Sequence, residues 1–251
     1  VILPVHMAGR PCEMDKILQI AKKYKLYVIE DAAHALGAEY KGKKIGSIGD
    51  LSCFSFYVTK NIVTGEGGMV TTNNKEFADK IKIYGLHGMS KDAWKRYSDA
   101  GYKHYEVIYP GFKYNMMDIQ GAIGIHQLKR IEKYDKIRKK IWDFYNKELK
   151  RLPLTLPSPD SPDIKHARHL YTVLVDKERA GISRDQFMQE LHLRGIGTVV
   201  HFNPVHLHKY YCETFGYKAG DYSNAEYIGE RTVSLPLSAK LTMRDAKRIV
   251  G

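Results

Sequence analysis

Two side chains of opposite charge each follow an apolar stretch that is typical of a β-strand. Asp31 follows the run Leu26–Glu30, and Lys60 comes shortly after the run Leu51–Tyr57. Open α/β sheets bind their ligands at the carboxyl ends of their strands. A lysine amine at that edge can form a Schiff base with a carbonyl compound, and a carboxylate can hold a protonated ring nitrogen. The alternative is an ion pair on the surface with no chemical role.

The neighbours of this pair favour a chemical role. Ser55 adds a hydroxyl on the strand that precedes Lys60, and His34 adds a ring donor after Asp31, beside the small side chain of Ala33. Three glycines in the next loop let the backbone approach a ligand closely: Gly65, Gly67 and Gly68. Pyridoxal 5′-phosphate needs an amine for its aldehyde, a carboxylate for its ring nitrogen, and hydroxyls or amides for its phosphate. We therefore predict a pyridoxal-phosphate site.

The order of apolar segments predicts an α/β fold for the first half of the chain. Strands that are apolar throughout argue for a mostly parallel sheet covered by helices. The strand Gly68–Thr72 is predicted to run antiparallel, because only about ten residues separate it from Tyr57, too few for a parallel crossover. The predicted elements are strand Val1–Val5, helix Met14–Tyr24, strands Leu26–Glu30, Leu51–Tyr57 and Gly68–Thr72, helix Lys75–Tyr84, and an irregular stretch His87–Asn115.

The second half is predicted to form a smaller α+β domain. Apolar residues recur at helical spacing from Met116 to Leu152, which predicts one long helix that joins two domains, residues 1–130 and residues 131–251. Four prolines after that helix mark a linker. The further predicted elements are strand Leu170–Val175, helix Arg184–Arg194, strand Ile196–His201, two further helical segments and, within the last of these, a helix at Thr242–Val250.

Composition narrows the class of protein. The 251 residues are 43% hydrophobic and 27% charged, which is typical of a globular chain. No apolar run is long enough to span a bilayer, no signal peptide is recognisable, and the three separated cysteines fit neither a disulfide framework nor a metal site. We therefore expect a soluble, cytoplasmic protein without a metal.

The net charge of +12 would suit a nucleic acid. The excess is spread along the chain, however, and its densest run also carries acidic residues and an apolar stripe. This distribution favours solvated helix faces, so no nucleic-acid partner is expected. A basic surface also suits phosphorylated or nucleotide-bearing substrates.

Three segments together resemble the motifs of one protein family. They are Val28–Ala35, Ser55–Asn61 with Glu66–Gly68, and Gly111–Asn115. With them, nearly the whole chain is similar to the DegT/DnrJ/EryC1/StrS sugar aminotransferases, which are fold-type-I pyridoxal-phosphate enzymes. The resemblance implies that residues 1–130 are the C-terminal portion of a large cofactor-binding domain and residues 131–251 the small domain.

The resemblance implies a role for each residue around the cofactor. Lys60 would carry the cofactor as a Schiff base and act as the acid-base that moves the proton. Asp31 would pair with the pyridine nitrogen, Ala33 would pack on the ring and His34 would hydrogen-bond the 3′-oxygen. Ser55 would bind the phosphate.

Other implied roles involve the partner subunit and the substrate. Asn115 would reach the phosphate in the neighbouring subunit's site, so that a homodimer shares its active sites. His201 would lie near a nucleotide-sugar substrate. No direct role is expected for His206 or His208, because most of the eleven histidines are ordinary surface or core residues.

The implied function is transamination of a nucleotide-activated 4-keto sugar with glutamate as amino donor, in polysaccharide or lipopolysaccharide biosynthesis. Two alternatives stay open. Related sugar dehydratases use the same fold and cofactor but carry histidine where this chain has Lys60, and a non-catalytic binding or regulatory protein would keep the fold with a degenerate site. The resemblance also places a Gly-Thr-x-Ala-type phosphate loop and a ring-stacking aromatic residue upstream of Val1. We therefore expect a fragment of a longer protein that can be inactive by itself.

Overall fold

The computed structural model describes residues 1–90 and 105–251. These residues form two compact units. The first consists of Val1–Ile131 with Pro162–His166, and the second of Glu132–Ser161 with Ala167–Gly251. The predicted irregular stretch His87–Asn115 lies partly outside the described residues.

The described residues contain nine short strands and nine α-helices. The strands are β1 (Ile29–Asp31), β2 (Glu39–Tyr40), β3 (Lys43–Lys44), β4 (Leu51–Ser55), β5 (Gly68–Thr71), β6 (Leu154–Thr155), β7 (Ile164–Lys165), β8 (Tyr171–Val175) and β9 (Thr232–Leu235). The helices are α1 (Met14–Tyr24), α2 (Lys75–Tyr84), α3 (Asp118–Leu128), α4 (Ile131–Glu148), α5 (Lys177–Ala180), α6 (Arg184–Leu193), α7 (Lys209–Phe215), α8 (Ser223–Gly229) and α9 (Met243–Val250). Single 3₁₀ turns lie at Met7–Gly9, Leu149–Arg151 and Val205–Leu207. None of these helices is long and apolar enough to cross a membrane.

The sheet of the first unit has the order β1-β4-β5. β1 and β4 run parallel, with Asp31 opposite Cys53. β5 runs antiparallel to β4, with Ser55 opposite Gly68. The antiparallel direction of β5 confirms the prediction from its short connection. A second small sheet, β3-β2-β7, is antiparallel throughout.

The prediction of a buried strand at Val1–Val5 is wrong in part. The segment pairs parallel with the β1 region only through the isolated bridges Ile2–Val28 and Val5–Asp31. Pro4 has no N–H to donate, which interrupts the ladder between the two bridges. Three of its five side chains are also exposed, since Val1 keeps 70% of its surface, Leu3 59% and Val5 45%, whereas Pro4 is buried.

Local chemistry explains why α1 and α2 form where the apolar periodicity places them. Asn74 caps α2, because its side-chain oxygen accepts the N–H groups of Glu76 and Phe77 at 2.8 and 3.2 Å. α1 ends at Tyr24, because the next residue, Lys25, adopts the left-handed conformation with φ 52° and donates its N–H back to the last turn. Both helices have the predicted bounds.

The single long helix predicted over Met116–Leu152 is wrong, because the structure has α3 and α4 with a break at residues 129–130. The N–H of Arg130 donates to the carbonyl of Gln127 at 3.0 Å, three residues back instead of four. This tighter turn ends α3 without any glycine or proline. The division between the two compact units falls at the start of α4.

The second unit has a fully buried core around an antiparallel sheet, β6-β8-β9. Tyr145 of α4 and Tyr171 of β8 are completely buried, and their rings meet edge to face at 5.0 Å. Each hydroxyl has a partner: Tyr145 donates to the carbonyl of Pro236 at 2.9 Å and Tyr171 to Asn146 Oδ1 at 2.8 Å. Burial raises the pKa of both phenols.

The strand predicted at Ile196–His201 is wrong. Only Val199 pairs there, through an isolated antiparallel bridge to Ser234 of β9. At the next possible pairing position, the hydroxyl of Thr232 donates to the carbonyl of His201 at 3.2 Å. The Thr232 side chain thus binds the carbonyl oxygen that would accept a backbone N–H in a regular β-ladder.

Candidate active site

Asp31 is held at the end of β1 by backbone bonds on both sides. Its N–H donates to the carbonyl of Pro4 at 2.9 Å, and its carbonyl accepts the N–H of His6 at 3.1 Å. Its carboxylate Oδ1 accepts the N–H of Ala33 at 3.0 Å. The half-buried carboxylate therefore has one orientation fixed by its own chain, and Oδ2 is the oxygen left to face a ligand.

Lys60 lies in a tight loop after β4. Its own N–H donates to the carbonyl of Tyr57 at 2.9 Å. The base of the loop is closed by Phe56, which accepts the N–H of Thr64 at 3.0 Å and donates to the carbonyl of Gly67 at 2.8 Å. The amine therefore projects from a short, closed loop at the carboxyl edge of the sheet.

Two glycines of this loop are required by contacts within the chain. Gly67 has φ 149°, and a Cβ at this position would lie 2.5 Å from Thr64 Oγ1. A Cβ on Gly68 would lie 2.8 Å from the carbonyl oxygen of Phe54. Both glycines are thus required by contacts within the chain, whereas a Cβ on Gly65 would meet nothing within 4 Å.

The charge state of Lys60 is set by two opposing effects. Partial burial lowers the pKa of the Lys60 amine, and the negative charge of Asp31 offsets part of that shift. A lowered pKa increases the neutral, nucleophilic fraction of a lysine. The influence of Asp31 also indicates that the two side chains are electrostatic neighbours.

Ser55 and His34 supply hydrogen-bonding groups in the same unit. Ser55 Oγ accepts the N–H of Tyr57 at 3.3 Å, so its hydroxyl hydrogen can donate to an anion. His34 Nδ1 accepts the N–H of Ala8 at 3.3 Å. Both residues are half-buried.

The other two predicted site residues, Asn115 and His201, lie on elements other than β1 and β4. Asn115 is exposed, accepts a hydrogen bond from Lys113 Nζ, and lines an apolar groove formed by β4, β5 and α2. His201 belongs to the second unit, where its Nδ1 shares a hydrogen bond of 2.7 Å with Ser234 Oγ. Within the first unit, the structure places Asp31, Ser55 and Lys60 at or just after the ends of the neighbouring strands β1 and β4.

The histidines for which we expected no direct role differ in their surroundings. His206 is buried and its Nε2 lies 2.8 Å from Glu226 Oε1. That carboxylate also accepts the N–H groups of Gly220 and Tyr222, and its pKa is held below the usual value mainly by the bond to His206. His208 is exposed.

A buried pair beneath Asp31 was not predicted from the sequence. His6 and Glu30 are both completely buried, with His6 Nε2 2.8 Å from Glu30 Oε2. Glu30 Oε1 accepts the N–H of Gly49 and the hydroxyl of Ser52, each at 2.7 Å. The sequence does contain a signal that could have indicated this pair. His6 directly follows the apolar run Ile2–Val5, and Glu30 directly follows the apolar run Tyr27–Ile29.

The ionised state of Glu30 is protected by these donors. Burial alone would raise the pKa of the carboxyl, but the hydrogen bonds from His6, Gly49 and Ser52 hold it below its usual value. Successive residues of a strand point to opposite faces of the sheet. Glu30 is therefore fixed within the protein on one face, while Asp31 is presented on the other.

These residues fit pyridoxal phosphate as a donor set. The chain offers a lysine amine of lowered pKa, a carboxylate for a ring nitrogen, an imidazole for a ring oxygen and a hydroxyl for a phosphate. In residues 1–90 and 105–251, no group of three or more His, Cys, Asp or Glu side chains is arranged to hold a metal ion.

The α/β fold and the lysine–carboxylate pair at the carboxyl edge of its sheet define a fold-type-I transferase. The chain belongs to the DegT/DnrJ/EryC1/StrS aminotransferase family, whose sequence profile matches residues 1–251. Both results confirm the predicted family and fold class. The family also implies pyridoxal phosphate as the cofactor.

Individual relatives agree with this assignment. The chain is 58% identical over 250 residues to the protein MJ1066 of Methanocaldococcus jannaschii, covering 100% of this chain and 65% of that protein. It is 47% identical over 250 residues to the spore coat polysaccharide biosynthesis protein SpsC of Bacillus subtilis, covering 99% of this chain and 64% of that protein. The chain thus spans just under two thirds of the length of these relatives.

A solved structure also supports the assignment to this aminotransferase family. The fold is similar to that of Helicobacter pylori PseC, an aminotransferase involved in the biosynthesis of pseudoaminic acid, with a TM-score of 0.90 and 31% sequence identity. The match covers 99% of this chain and 64% of PseC.

Proposed function

We propose that this chain carries the Schiff-base lysine and the ring-nitrogen carboxylate of a pyridoxal-phosphate-dependent aminotransferase acting on a nucleotide-activated 4-keto sugar, with glutamate as amino donor. The observation that carries the proposal is the position of Asp31 and Lys60 at and just after the carboxyl ends of the neighbouring parallel strands β1 and β4. Burial there lowers the pKa of the Lys60 amine, and Asp31 offsets part of that shift. A surface ion pair would raise the pKa of the lysine.

When bound, pyridoxal phosphate supplies an aldehyde that accepts amines and a ring that withdraws electrons from the carbon next to them. Lys60 would hold the cofactor covalently through its amine and would move the proton at the reacting carbon. Asp31 Oδ2 holds the ring nitrogen, because Oδ1 is engaged by the N–H of Ala33. His34 holds the ring oxygen, Ala33 packs on the ring face and Ser55 donates to the phosphate.

The substrate class is supported by the relatives and by charge. SpsC is named for spore coat polysaccharide biosynthesis, and PseC is described as an aminotransferase involved in the biosynthesis of pseudoaminic acid. The net charge of +12 suits a nucleotide-bearing substrate. We assign His201 to this substrate.

A finer assignment comes from sequence segments outside the cofactor site. Gly181–Asp185, Arg194–Thr198, His201–Phe202 and His208–Tyr211 resemble the aminotransferase that makes UDP-4-amino-4-deoxy-L-arabinose. We therefore assign the corresponding UDP-4-keto sugar as substrate and a role in lipopolysaccharide biosynthesis. The proposal also includes a cytoplasmic location and a homodimer with shared sites, to which Asn115 would contribute.

The alternatives differ from this proposal in what Lys60 does. A sugar dehydratase of this fold would carry histidine at the position of Lys60. A non-catalytic relative would bind the cofactor or the sugar nucleotide without converting either.

Trapping of the cofactor on Lys60 tests the proposal. The purified chain is mixed with pyridoxal phosphate, reduced with borohydride, and its peptides are analysed by mass spectrometry. We expect the reduced adduct at Lys60, its loss in Lys60→Ala and Lys60→Arg, and its retention in Lys43→Ala, which removes an exposed lysine of the same unit. Arginine fails because its guanidinium stays protonated and is not nucleophilic.

The second step tests amino transfer itself. Glutamate added to the loaded protein is expected to abolish borohydride trapping and to release 2-oxoglutarate, and a nucleotide 4-keto sugar is expected to restore trapping. An adduct spread over surface lysines would overturn the cofactor assignment. Trapping at Lys60 without release of 2-oxoglutarate, in a protein that also contains the family's upstream region, would favour the non-catalytic alternative.

A further inference from the structure

One short segment, residues 6–12, presents backbone N–H groups to the side chains of two histidines. The N–H of Ala8 donates to His34 Nδ1 at 3.3 Å, and the N–H of Cys12 donates to His6 Nδ1 at 3.0 Å. A backbone amide is always a donor, so the nitrogen that it faces must accept. In His34, Nδ1 is therefore the nitrogen without a proton.

The position of the remaining ring proton follows. A neutral imidazole with an accepting Nδ1 carries its proton on Nε2. In His6, Nε2 faces Glu30 Oε2 across 2.8 Å, which is the contact that an Nε2–H donor makes with a carboxylate. In His34 the same tautomer turns Nε2 into a hydrogen-bond donor.

The backbone of the segment is shaped to make these contacts. Ala8 adopts φ 58° and ψ 4°, the left-handed region that residues other than glycine rarely occupy. Such conformations persist where the surroundings over-determine them, and they cluster at functional sites. Here the turn is closed by Gly9, whose N–H donates to the carbonyl of His6 at 3.1 Å, and by Arg10, whose N–H donates to the carbonyl of Met7 at 3.0 Å.

The segment is anchored to the strand that carries Asp31. The N–H of His6 donates to the carbonyl of Asp31, and its ring bonds to Glu30 one residue earlier. Glu30 is fixed in turn by Gly49 and Ser52. The turn that reaches His34 is therefore tied through His6 to the residue that would hold the cofactor's ring nitrogen.

We propose that residues 6–12 select the Nε2–H tautomer of His34, and that His6 and Glu30 are positioning residues that hold this segment in place. The selected tautomer makes His34 a hydrogen-bond donor toward the electron-rich ring oxygen of the cofactor. The contact between His34 Nε2 and the cofactor rests on the proposed function. The tautomer does not, because it is a property of the protein without cofactor.

Nitrogen-15 NMR of the histidine rings tests the tautomer without any cofactor. We expect His34 to show a pyridine-like Nδ1 and a pyrrole-like Nε2, assigned by comparison with His34→Gln. Replacing Ala8 by its α-hydroxy acid changes one amide to an ester and removes only the N–H. We expect this ester to lose the single tautomer, giving averaged shifts for the two nitrogens.

A matched variant separates the N–H from the shape of the turn. Ala8→Gly keeps the donor and suits the left-handed backbone, so its His34 spectrum should match that of the unmodified chain. A pyrrole-like Nδ1 in the unmodified chain, or an unchanged single tautomer in the ester, would overturn the proposal.

The positioning role of His6 is tested by two substitutions of different severity. His6→Gln keeps a side-chain donor for Glu30, whereas His6→Ala leaves the carboxylate without it. We expect averaged His34 shifts in the alanine variant and partial recovery of the single tautomer in the glutamine variant. Folding of both is checked by the dispersion of their amide spectra, and a single His34 tautomer in a folded His6→Ala protein would refute the role of His6.

Binding of pyridoxal phosphate then links the tautomer to the cofactor. Because the ester variant loses one hydrogen bond, we expect it to bind pyridoxal phosphate about two- to tenfold more weakly than Ala8→Gly does. Borohydride trapping at Lys60 is read in the same samples, so a failure of the cofactor assignment remains distinct from a failure of the tautomer assignment. Equal affinities in the presence of normal trapping would overturn the link to His34.

Discussion

Asp31, the last residue of β1, lies directly opposite Cys53 in the parallel register of β1 and β4. Cys53 comes two residues before Ser55, the last residue of β4. The two strands therefore reach the same edge of the sheet almost in step. Asp31 and the loop with Lys60 emerge side by side at this edge, which explains why the charge of one alters the pKa of the other. The register of β1 and β4 thus determines that Asp31 and the loop with Lys60 are neighbours.

The ionisation of Lys60 gives a prediction with a definite sign. Burial lowers the pKa of its amine, so trapping of pyridoxal at Lys60 should reach half its maximal rate below the ordinary lysine value of about 10.4. Since Asp31 raises the pKa, Asp31→Asn should move the midpoint to still lower pH. Borohydride trapping across a pH series measures both, with N-acetyl-lysine as the reference amine. A midpoint that moves upward in Asp31→Asn would contradict the assigned pairing.

Asp31→Asn should also slow amino transfer in the active enzyme. The amide no longer keeps the cofactor's ring nitrogen protonated, so the ring withdraws electrons less strongly. We expect a loss of about 4 kcal/mol in transition-state stabilisation, which is roughly a thousandfold in rate. Single-turnover kinetics with glutamate measure it, and urea unfolding serves as the control for folding. Turnover near the unmodified rate would leave Asp31 with a structural role only.

Gly67→Ala should loosen the loop that carries Lys60. The new Cβ would lie 2.5 Å from Thr64 Oγ1, whose hydroxyl donates to the carbonyl of Glu66 at 2.6 Å. Gly65→Ala is the matched control, because an alanine at this position also has to adopt a positive φ, but its Cβ would have no other atom within 4 Å. We expect Gly67→Ala to lower the free energy of unfolding by about 1–2 kcal/mol more than Gly65→Ala.

Hydrogen exchange locates this effect. Faster exchange should be confined to the N–H groups of Lys60 and Thr64 and their neighbours in the loop. Equal unfolding free energies for the two alanine variants would show that Thr64 moves aside without cost.

A shared active site predicts complementation between two inactive chains. Asn115→Ala removes the group that we assign to the partner's phosphate, and Lys60→Ala removes the covalent link. A mixed dimer then has one site with both defects and one intact site, so activity should reappear, up to about half of that of the unmodified dimer. Purification with two different affinity tags isolates the mixed dimer. If such dimers stay inactive, Asn115 serves its own chain's site or none.

The parts of the fold that the sequence could predict are those with a local cause. α1 and α2 follow from helical periodicity and, at Asn74, from a side chain that caps the helix. The antiparallel β5 follows from the length of its connection. Asp31 and Lys60 could be selected because their residue types and strand-end positions are chemically specific.

The rest depends on contacts between distant residues. The break between α3 and α4 occurs at Lys129 and Arg130, where the apolar period continues and neither residue disfavours a helix. The bond from Ala8 to His34 requires a left-handed alanine, for which the residue type has no preference. Glu30 is stable inside the protein only because three donors converge on it from separate segments.

The pairing of β2 with β7 bears on how the chain folds while the ribosome is still making it. Glu39 pairs with Lys165, and their side chains form an ion pair at 3.1 Å, although 125 residues lie between them. The first unit consequently cannot be completed until residue 166 has left the exit tunnel, by which time all of α4 has been synthesised. Until then, the edge of β2 that β7 will occupy stays unpaired on the nascent chain. A pause in translation shortly before this point would prolong the interval in which a chaperone, or another nascent chain, can bind that edge.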